Sequence, residues 1–571
     1  SMQVYEEEFD YIIDANIAAA QGLSRQYLSN SDINFPEEEA SRDVITTTPM
    51  IVESFLRDFK KTIDMNVYVQ DANGFRPDAG LRQQKLDLIQ AFYEHKFNSI
   101  SDRYYKSILW PLPDTVHPLV EQDDVFMLLY KELYFRHAHA RLSNLLTLEH
   151  RIESYKNYVN LFERIFSDDD EMDQLDLPDQ WLWDMVDEFV YQFQDFCRFR
   201  SVDLRKRTPD EVKTLKENSN VWDTMEVLTQ LQRMVTHSEI NRVLREDKAD
   251  PDSGALQTSM SQFGIGHVQT VLGYFSLVAL SRVHVMCGDF HSALKAVEHL
   301  DLLVSVSDYV PVYMRVTSCY ITLYYNMGFA YLMMRRYTDA VKTLTQVLLY
   351  INRTQHLTRP YQFEQAMKRS EQMYRLIAIC NSLCPQRNLE DSVMQYLQDK
   401  YAENLSRLNK GEEGMYEDFF KNAAPKAIFP GIPDYADPSE AVAPAGQQLA
   451  GLLAEVRQQQ RLPLIRSYLR LYTTISTAKL ASFAEIDEGT LRAHLLCLKH
   501  KSTERVKTGA AAHGPPLAGQ RASSSGVDFK LDKGLVNIAD HRPAPSFASY
   551  FTKNIHRLQS QVSDLSMTRR Y

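Results

Sequence analysis

The stretch from Arg461 to Asp540 constrains this chain most, because the order of its elements, beyond their composition, specifies a module. Ile465, Tyr468, Leu469 and Tyr472 recur at i, i+3, i+4 and i+7, which puts them on one face of a first helix. Ser476 stands at the N-cap position of a second helix, whose Leu480, Phe483 and Ala484 share a side. Asp487 opens a third, with Leu491, Leu495 and Leu498 facing inward. Val527, Phe529 and Leu531 then alternate with polar residues, Gly534 supplies a tight turn, and Val536 and Ile538 bring the chain back as a hairpin. Three helices and a two-stranded wing make a winged helix.

A helix that enters a major groove presents Arg, Asn, Gln or Lys to base edges. The third helix here carries Leu495, Leu496, Cys497 and Leu498 instead, and Lys499, His500 and Lys501 gather at its end, where cations complement the helix dipole. That apolar girth predicts protein docking rather than base reading. Phe529, Leu531, Val536 and Ile538 of the wing are the expected partner surface, through a strand edge able to pair with another sheet. The basic excess between Arg461 and Lys507 supports a second hypothesis, a winged-helix RNA binder that touches RNA through Arg492, Lys499 and Lys501.

The rest of the chain reads as mainly α. Residues 1–45 form an acidic, uneven arm with two runs of three glutamates. An N-terminal helical domain is expected over 46–240, with Phe55, Leu56, Phe59 and Ile63 on one face, then Phe126, Leu129, Tyr130 and Leu133 on another. Trp181, Met185, Phe189 and Phe193 follow Pro178, where Asp179 can cap. No convincing run of strands is expected before residue 527.

Over 255–423 the chain is read as helical repeats, because residues 271–352 repeat at a distance of 47. Phe290, Ala293, Lys295 and Val297 answer Tyr337, Ala340, Lys342 and Leu344, each copy being a helix, a turn and a second helix. Tyr324, Gly328, Tyr331, Ala340 and Leu344 fall where tetratricopeptide repeats place their aromatic, small and hydrophobic positions, and the small residues let paired helices approach closely. Residues 424–446, rich in Pro, Gly and Ala, are a linker or draped loop. Residues 447–540 complete the winged-helix part, a helix over about 447–460 bridging into it, with a mobile insertion at 508–526. From 545 to 571 a terminal helix lines up Phe547, Phe551, Ile555, Leu558, Val562 and Leu565 in a narrow seam that needs a partner.

No chemistry stands out against this scaffold. A formal net charge of −12 argues against whole-body nucleic-acid binding, which depends on Lys and Arg displacing counterions. The six cysteines, at 197, 287, 319, 380, 384 and 497, lack zinc-ribbon spacing and read as reduced, buried thiols. His137 and His139 imitate the start of a zinc-protease motif, but two residues apart on a helix they point in opposite directions, and the Ser and Asp that should follow are Thr147 and His150. Asp168 to Glu171 lacks the glycine and closing glutamate of a calcium loop. Gly264 and Gly266 stand without a preceding strand or a third glycine, so dinucleotide binding is unsupported. No stretch of about 18 apolar residues or signal peptide is apparent, and no catalytic residue, metal site or cofactor is expected.

Helical repeats that lead into a winged helix and then a terminal helix resemble the PCI family, the scaffold subunits of the proteasome lid, the signalosome and translation initiation factor three. More specific phrases are Leu129–Tyr134, Leu177–Asp184 with Glu188–Phe193, Gly328–Tyr337 and Arg466–Thr474. Together they resemble the L-subunit family of eukaryotic translation initiation factor three, over about residues 50–560. The resemblance implies a non-catalytic scaffold subunit, a hetero-oligomer with other subunits of that factor (especially E and K), that supports initiation on the small ribosomal subunit in the cytoplasm. It implies no membrane association and at most a weak RNA contact. In that family winged helices align edge to edge and terminal helices gather in a bundle. The alternatives are a scaffold of the proteasome lid or signalosome, or the winged-helix RNA binder.

Overall fold

The computed structural model describes residues 49–539 apart from 72–73, 168–173, 203–207, 251–254, 261–263, 301–311, 355–359, 385–388, 434–443, 508–513 and 524–526, together with Phe551, Ile555 and Leu558. The acidic arm and the Asp168–Glu171 run lie outside the described residues.

The described residues open with α1 (Met50–Ile63), the hairpin β1 (Tyr68–Asp71) and β2 (Gly74–Pro77), and then α2 (Ala79–Ala91), α3 (Phe97–Tyr104) and the short α4 (Pro113–Val116). Three long helices follow, α5 (Asp124–Arg141), α6 (Leu148–Ile165) and α7 (Asp179–Val202). Their cores are aromatic. Trp181, fully buried, stacks on Tyr93 with ring centroids 5.0 Å apart and on Phe59 at 5.6 Å, and Trp110 stacks on Phe97 at 4.7 Å. Such pairs contribute about 0.5–1.5 kcal/mol each beyond area burial. Asp179 does not cap α7. Its carboxylate lies 3.3 Å from both His267 and Arg315, and so ties α7 to the repeat region.

After α8 (Pro209–Glu217), α9 (Thr224–His237), α10 (Ile240–Ala249) and α11 (Ala255–Met260) comes α12 (Ile265–Cys287). This helix is apolar and long enough to cross a membrane, contrary to the expectation that no such stretch exists, but most of it is buried inside the protein. α9 covers one side of it. A Cβ on Gly273 would fall 2.5 Å from the Ser238 Cβ, so only glycine lets the two segments meet. One continuous hydrophobic core therefore runs from Val52 to Val456, across the boundary expected near residues 240–255.

The repeat is formed by α12 with α13 (Phe290–Ala296), and, after α14 (Val312–Arg315), by α15 (Thr317–Met333) with α16 (Tyr337–Thr354). Its period extends to the backbone. Gly288 (φ 85°) and Arg335 (φ 61°), 47 positions apart, are both left-handed. In each copy the next amide reaches back five residues, Asp289 N to His284 O at 2.9 Å and Arg336 N to Tyr331 O at 2.8 Å. At Gly328 an added Cβ would sit 2.5 Å from Leu344 Cδ2, the close approach that the small residue predicts.

Then come α17 (Pro360–Leu383), α18 (Asp391–Asn409) and α19 (Glu413–Ala423). Residues 424–433 run along the body: Ile428 N donates to Met286 O at 3.1 Å, and Thr224 Oγ1 donates to Pro430 O at 2.8 Å. α20 (Pro444–Gln459) buries Leu449, Leu452 and Val456 in the large core before the chain enters the terminal module. That module contains α21 (Leu462–Leu469), β3 (Thr474–Ser476), α22 (Thr477–Phe483), α23 (Glu488–Lys501), β4 (Thr503–Val506), β5 (Gln520–Ser523), β6 (Asp528–Asp532) and β7 (Leu535–Ala539). β6 and β7 pair antiparallel, and β3 joins the other edge of β7. Strands thus occur well before residue 527, in β1 to β5. The part of the 508–526 insertion from 514 to 523 is a docked turn and the strand β5, rather than a mobile loop.

Candidate interaction surfaces and the joint behind them

The winged helix has its own small core. Leu462, Ile465, Leu469, Leu480, Leu491, Leu495, Leu498, Val527, Phe529 and Val536 meet there. Its caps follow from sequence: the Ser476 hydroxyl accepts from Lys479 N, and the Asp487 carboxylate accepts from Gly489 N and Thr490 N. Lys533 and Gly534 both take positive φ (44° and 83°), the requirement of a two-residue hairpin loop that matches the strand twist. Tyr472 lies beyond the end of α21 rather than on it. Phe483 is 38% exposed and forms a ring cluster with Tyr468 and Tyr472, at centroid distances of 5.9 and 6.3 Å.

The expected partner surface divides. Phe529 and Val536 fill the module's own core, because inward positions on a small sheet are needed to close it, and so they are withdrawn from any partner. Leu531 is 37% exposed and Ile538 half-buried. The Phe529 amide donates to the Asp528 carboxylate and its carbonyl accepts from Lys499 Nζ at 3.1 Å, which blunts the β6 edge proposed for strand pairing. Exposed leucines lie elsewhere, at Leu464, Leu471, Leu496 and Leu535. Of the terminal seam, Phe551, Ile555 and Leu558 are helical and each more than half exposed, while Phe547, Val562 and Leu565 lie outside the described residues.

The three cations expected to touch RNA are paired within the protein. Arg492 Nη2 lies 2.8 Å from Glu488, Lys499 Nζ lies 3.3 Å from Asp528, and Lys501 is buried against Glu455. Two of the three carboxylates, Asp528 and Glu455, lie outside the 461–507 window in which the basic excess is counted.

Sequence reasoning missed the joint that seats the winged helix on the repeat. Glu504, buried at the start of β4, accepts from the Thr338 amide at 3.2 Å and from its hydroxyl, and so places a carboxylate at the N-terminus of α16. Asp339, on the same first turn, accepts from Lys507 N at 3.0 Å and pairs with Arg336. Arg336 then donates to Pro516 O at 3.0 Å and Ala518 O at 2.6 Å, and Tyr331 donates to Pro516 O at 3.0 Å. Glu455 of α20 bridges Arg335, 3.0 Å away, and Lys501. Burial pulls the Lys507 ammonium down to about 8; Asp339 opposes this, and Arg336, Lys248 and Lys342 add to it. The only available signal was the Arg335-Arg336 pair at the repeat's turn.

No group of His, Cys, Asp and Glu suited to a metal exists among the described residues. His137 and His139 are core residues of α5, each pushed down to about 4 by burial, with help from Arg141 and Arg151 respectively. All six cysteines are free thiols, four of them buried.

A family model described as RNA polymerase I-associated factor PAF67 matches residues 150–558. Eukaryotic translation initiation factor 3 subunit L of Nematostella vectensis is 41% identical over 489 residues, 85% of this chain and 90% of that protein. The chain belongs to the initiation factor 3 subunit L family. The subunit L proteins of Danio rerio and Homo sapiens are each 38% identical, over 93% and 92% of this chain and 90% and 91% of their own lengths. The subunit L likeness therefore spans body, joint and winged helix together, and the family phrases at 129–134, 177–193 and 328–337 coincide with buried core and with the repeat's turn.

Proposed function

We propose that this member of the subunit L family is a non-catalytic scaffold of initiation factor 3, a hetero-oligomer partner of other subunits, with E and K as the expected neighbours. It acts in the cytoplasm, in support of initiation on the small ribosomal subunit. One observation carries the reading: a winged helix with a closed core of its own still exposes Leu464, Leu471, Leu496 and Leu535, at 48, 73, 63 and 48%. Scattered leucines are ordinary on a surface, but several on one small module whose relatives are named as subunits of a factor mark a docking face. Phe551, Ile555 and Leu558 extend the apolar surface beyond it. The relatives' names favour initiation factor 3 over the proteasome lid or signalosome.

The test is truncation after Asp540. The shortened chain is expected to fold, with a circular dichroism spectrum reduced only by the helix removed and an unchanged unfolding midpoint, and to lose co-purification with the other subunits. Recovery at normal yield would mean that the terminal seam is intramolecular.

A further inference from the structure

The segment from Arg505 to Val527 contains Arg505, Lys507, His513 and Arg521 and no Asp or Glu, in a chain whose net charge is −12. β4 and β5 pair so that Arg505 stands directly opposite Arg521, with Thr503 opposite Ser523. Like charges facing across a strand pair oppose folding. The alternation of the strands sends Glu504 and Val506 inward to the joint and leaves Thr503, Arg505, Arg521 and Ser523 exposed. Among the described residues neither Arg505 nor Arg521 has a carboxylate partner, unlike Arg492, Lys499 and Lys501. Lys248 and Lys342, exposed on α10 and α16, repel the Lys507 ammonium from the neighbouring body, against the attraction of Asp339.

We propose that the outward face of the β4–β5 hairpin binds the phosphate backbone of RNA, with Arg505 and Arg521 as the direct contacts and Lys507, Lys248 and Lys342 as the field behind them. Two arginines that are direct cross-strand partners, with backbones about one strand spacing apart, can reach successive phosphates, to which each fork can donate twice. The face has no apolar side chain, which a protein interface would use as its buried anchor and a membrane surface as its wedge. The joint holds the hairpin rigidly through Glu504, Asp339 and Arg336, so little ordering accompanies binding. This deepens the reading of the chain as a subunit that works at the small ribosomal subunit, and it rests on that reading.

The test uses the purified full chain and a fluorescent oligouridylate of about 20 nucleotides, followed by anisotropy from low to physiological salt. The wild type is expected to bind with a steep salt dependence. Arg505→Glu with Arg521→Glu should lose at least about 10-fold in affinity and flatten the log–log salt slope by about 1.5. Arg492→Gln with Lys499→Gln should stay within about 2-fold, because those cations are already paired. If the Glu pair fails to fold, Arg505→Gln with Arg521→Gln takes its place and should show the same direction. Equal binding by both pairs, or no wild-type binding at low salt, overturns the proposal. Competition by oligoglutamate of matched charge as effective as by unlabelled RNA also overturns it, in favour of an acidic protein. The hairpin variant should still co-purify with the other subunits; wild-type chain that never does so defeats the scaffold reading instead.

Discussion

The helical body and the winged helix solve the same packing problem with unequal means. The body closes one core from Val52 to Val456 around four fully buried tryptophans and many stacked rings, and leaves only widely scattered apolar side chains such as Leu112, Leu145 and Met225 exposed. The winged helix closes over far fewer side chains, leaves leucines in water, and depends on buried charge at Glu455 and Glu504 to hold its position. Stability concentrates in the first region, and exposed apolar side chains are denser on the second. A small module buries little surface of its own, so its orientation comes from contacts with the body.

The comparison breaks most directly at Trp181. Trp181→Ala removes two ring stacks and the indole donor to Glu132, 3.2 Å away, and should cost about 4 kcal/mol, read as a shift of the urea midpoint. A loss below about 1 kcal/mol would show that the body is not held by its aromatic core. Next is the body's acid sensitivity. His137 and His139 have folded values of about 4, below the ordinary 6.5, so the unfolded chain binds more protons between those limits. Stability then rises with pH across that window and is lost as pH falls through it, by on the order of 2 kcal/mol per histidine. Replacing both with Phe should flatten the stability difference between pH 7 and pH 5, and an unchanged slope would assign the acid sensitivity to other groups.

Glu504→Ala sharpens the boundary between the regions. It uncaps α16 and should cost about 1–2 kcal/mol, with hydrogen exchange rising at Thr338 and in β4 and β5 while α5 to α7 stay protected. Uniform exchange changes would mean that joint and body unfold as one. Smallest in stability is Leu496→Asp with Leu535→Asp, expected within about 0.5 kcal/mol of wild type yet poorly incorporated into the multi-subunit complex. Normal incorporation would move the docking face elsewhere.

Much of this was legible in the residues. Ser476 and Asp487 cap where their side chains predict, Gly534 turns the wing, and the 47-residue repeat recurs down to its left-handed turn residue, because caps, turns and periodicity act over a few positions. Periodicity predicts core faces for Phe483 and Tyr472, which are only partly buried, since both lie at or beyond a helix end, where periodicity no longer fixes direction. Alternation marks Phe529 and Val536 as an apolar face without naming what covers it, and the module's own core does. Lys499 and Lys501 find carboxylates for a related reason, since Asp528 and Glu455 are distant in sequence and adjacent in space, whereas the Glu488 partner of Arg492 is one helical turn away.

The sequence by itself determined the helices, the winged-helix order and the family, all of which rest on short-range spacing or on whole-chain likeness. The tertiary structure alone decided that one core spans the expected domain boundary, that α20 belongs to the body, and that Glu504 and Arg336 clamp residues about 170 to 180 positions away. The physical reason is that burial and charge pairing depend on which surfaces come together, and no local pattern records a neighbour that arrives from so far along the chain.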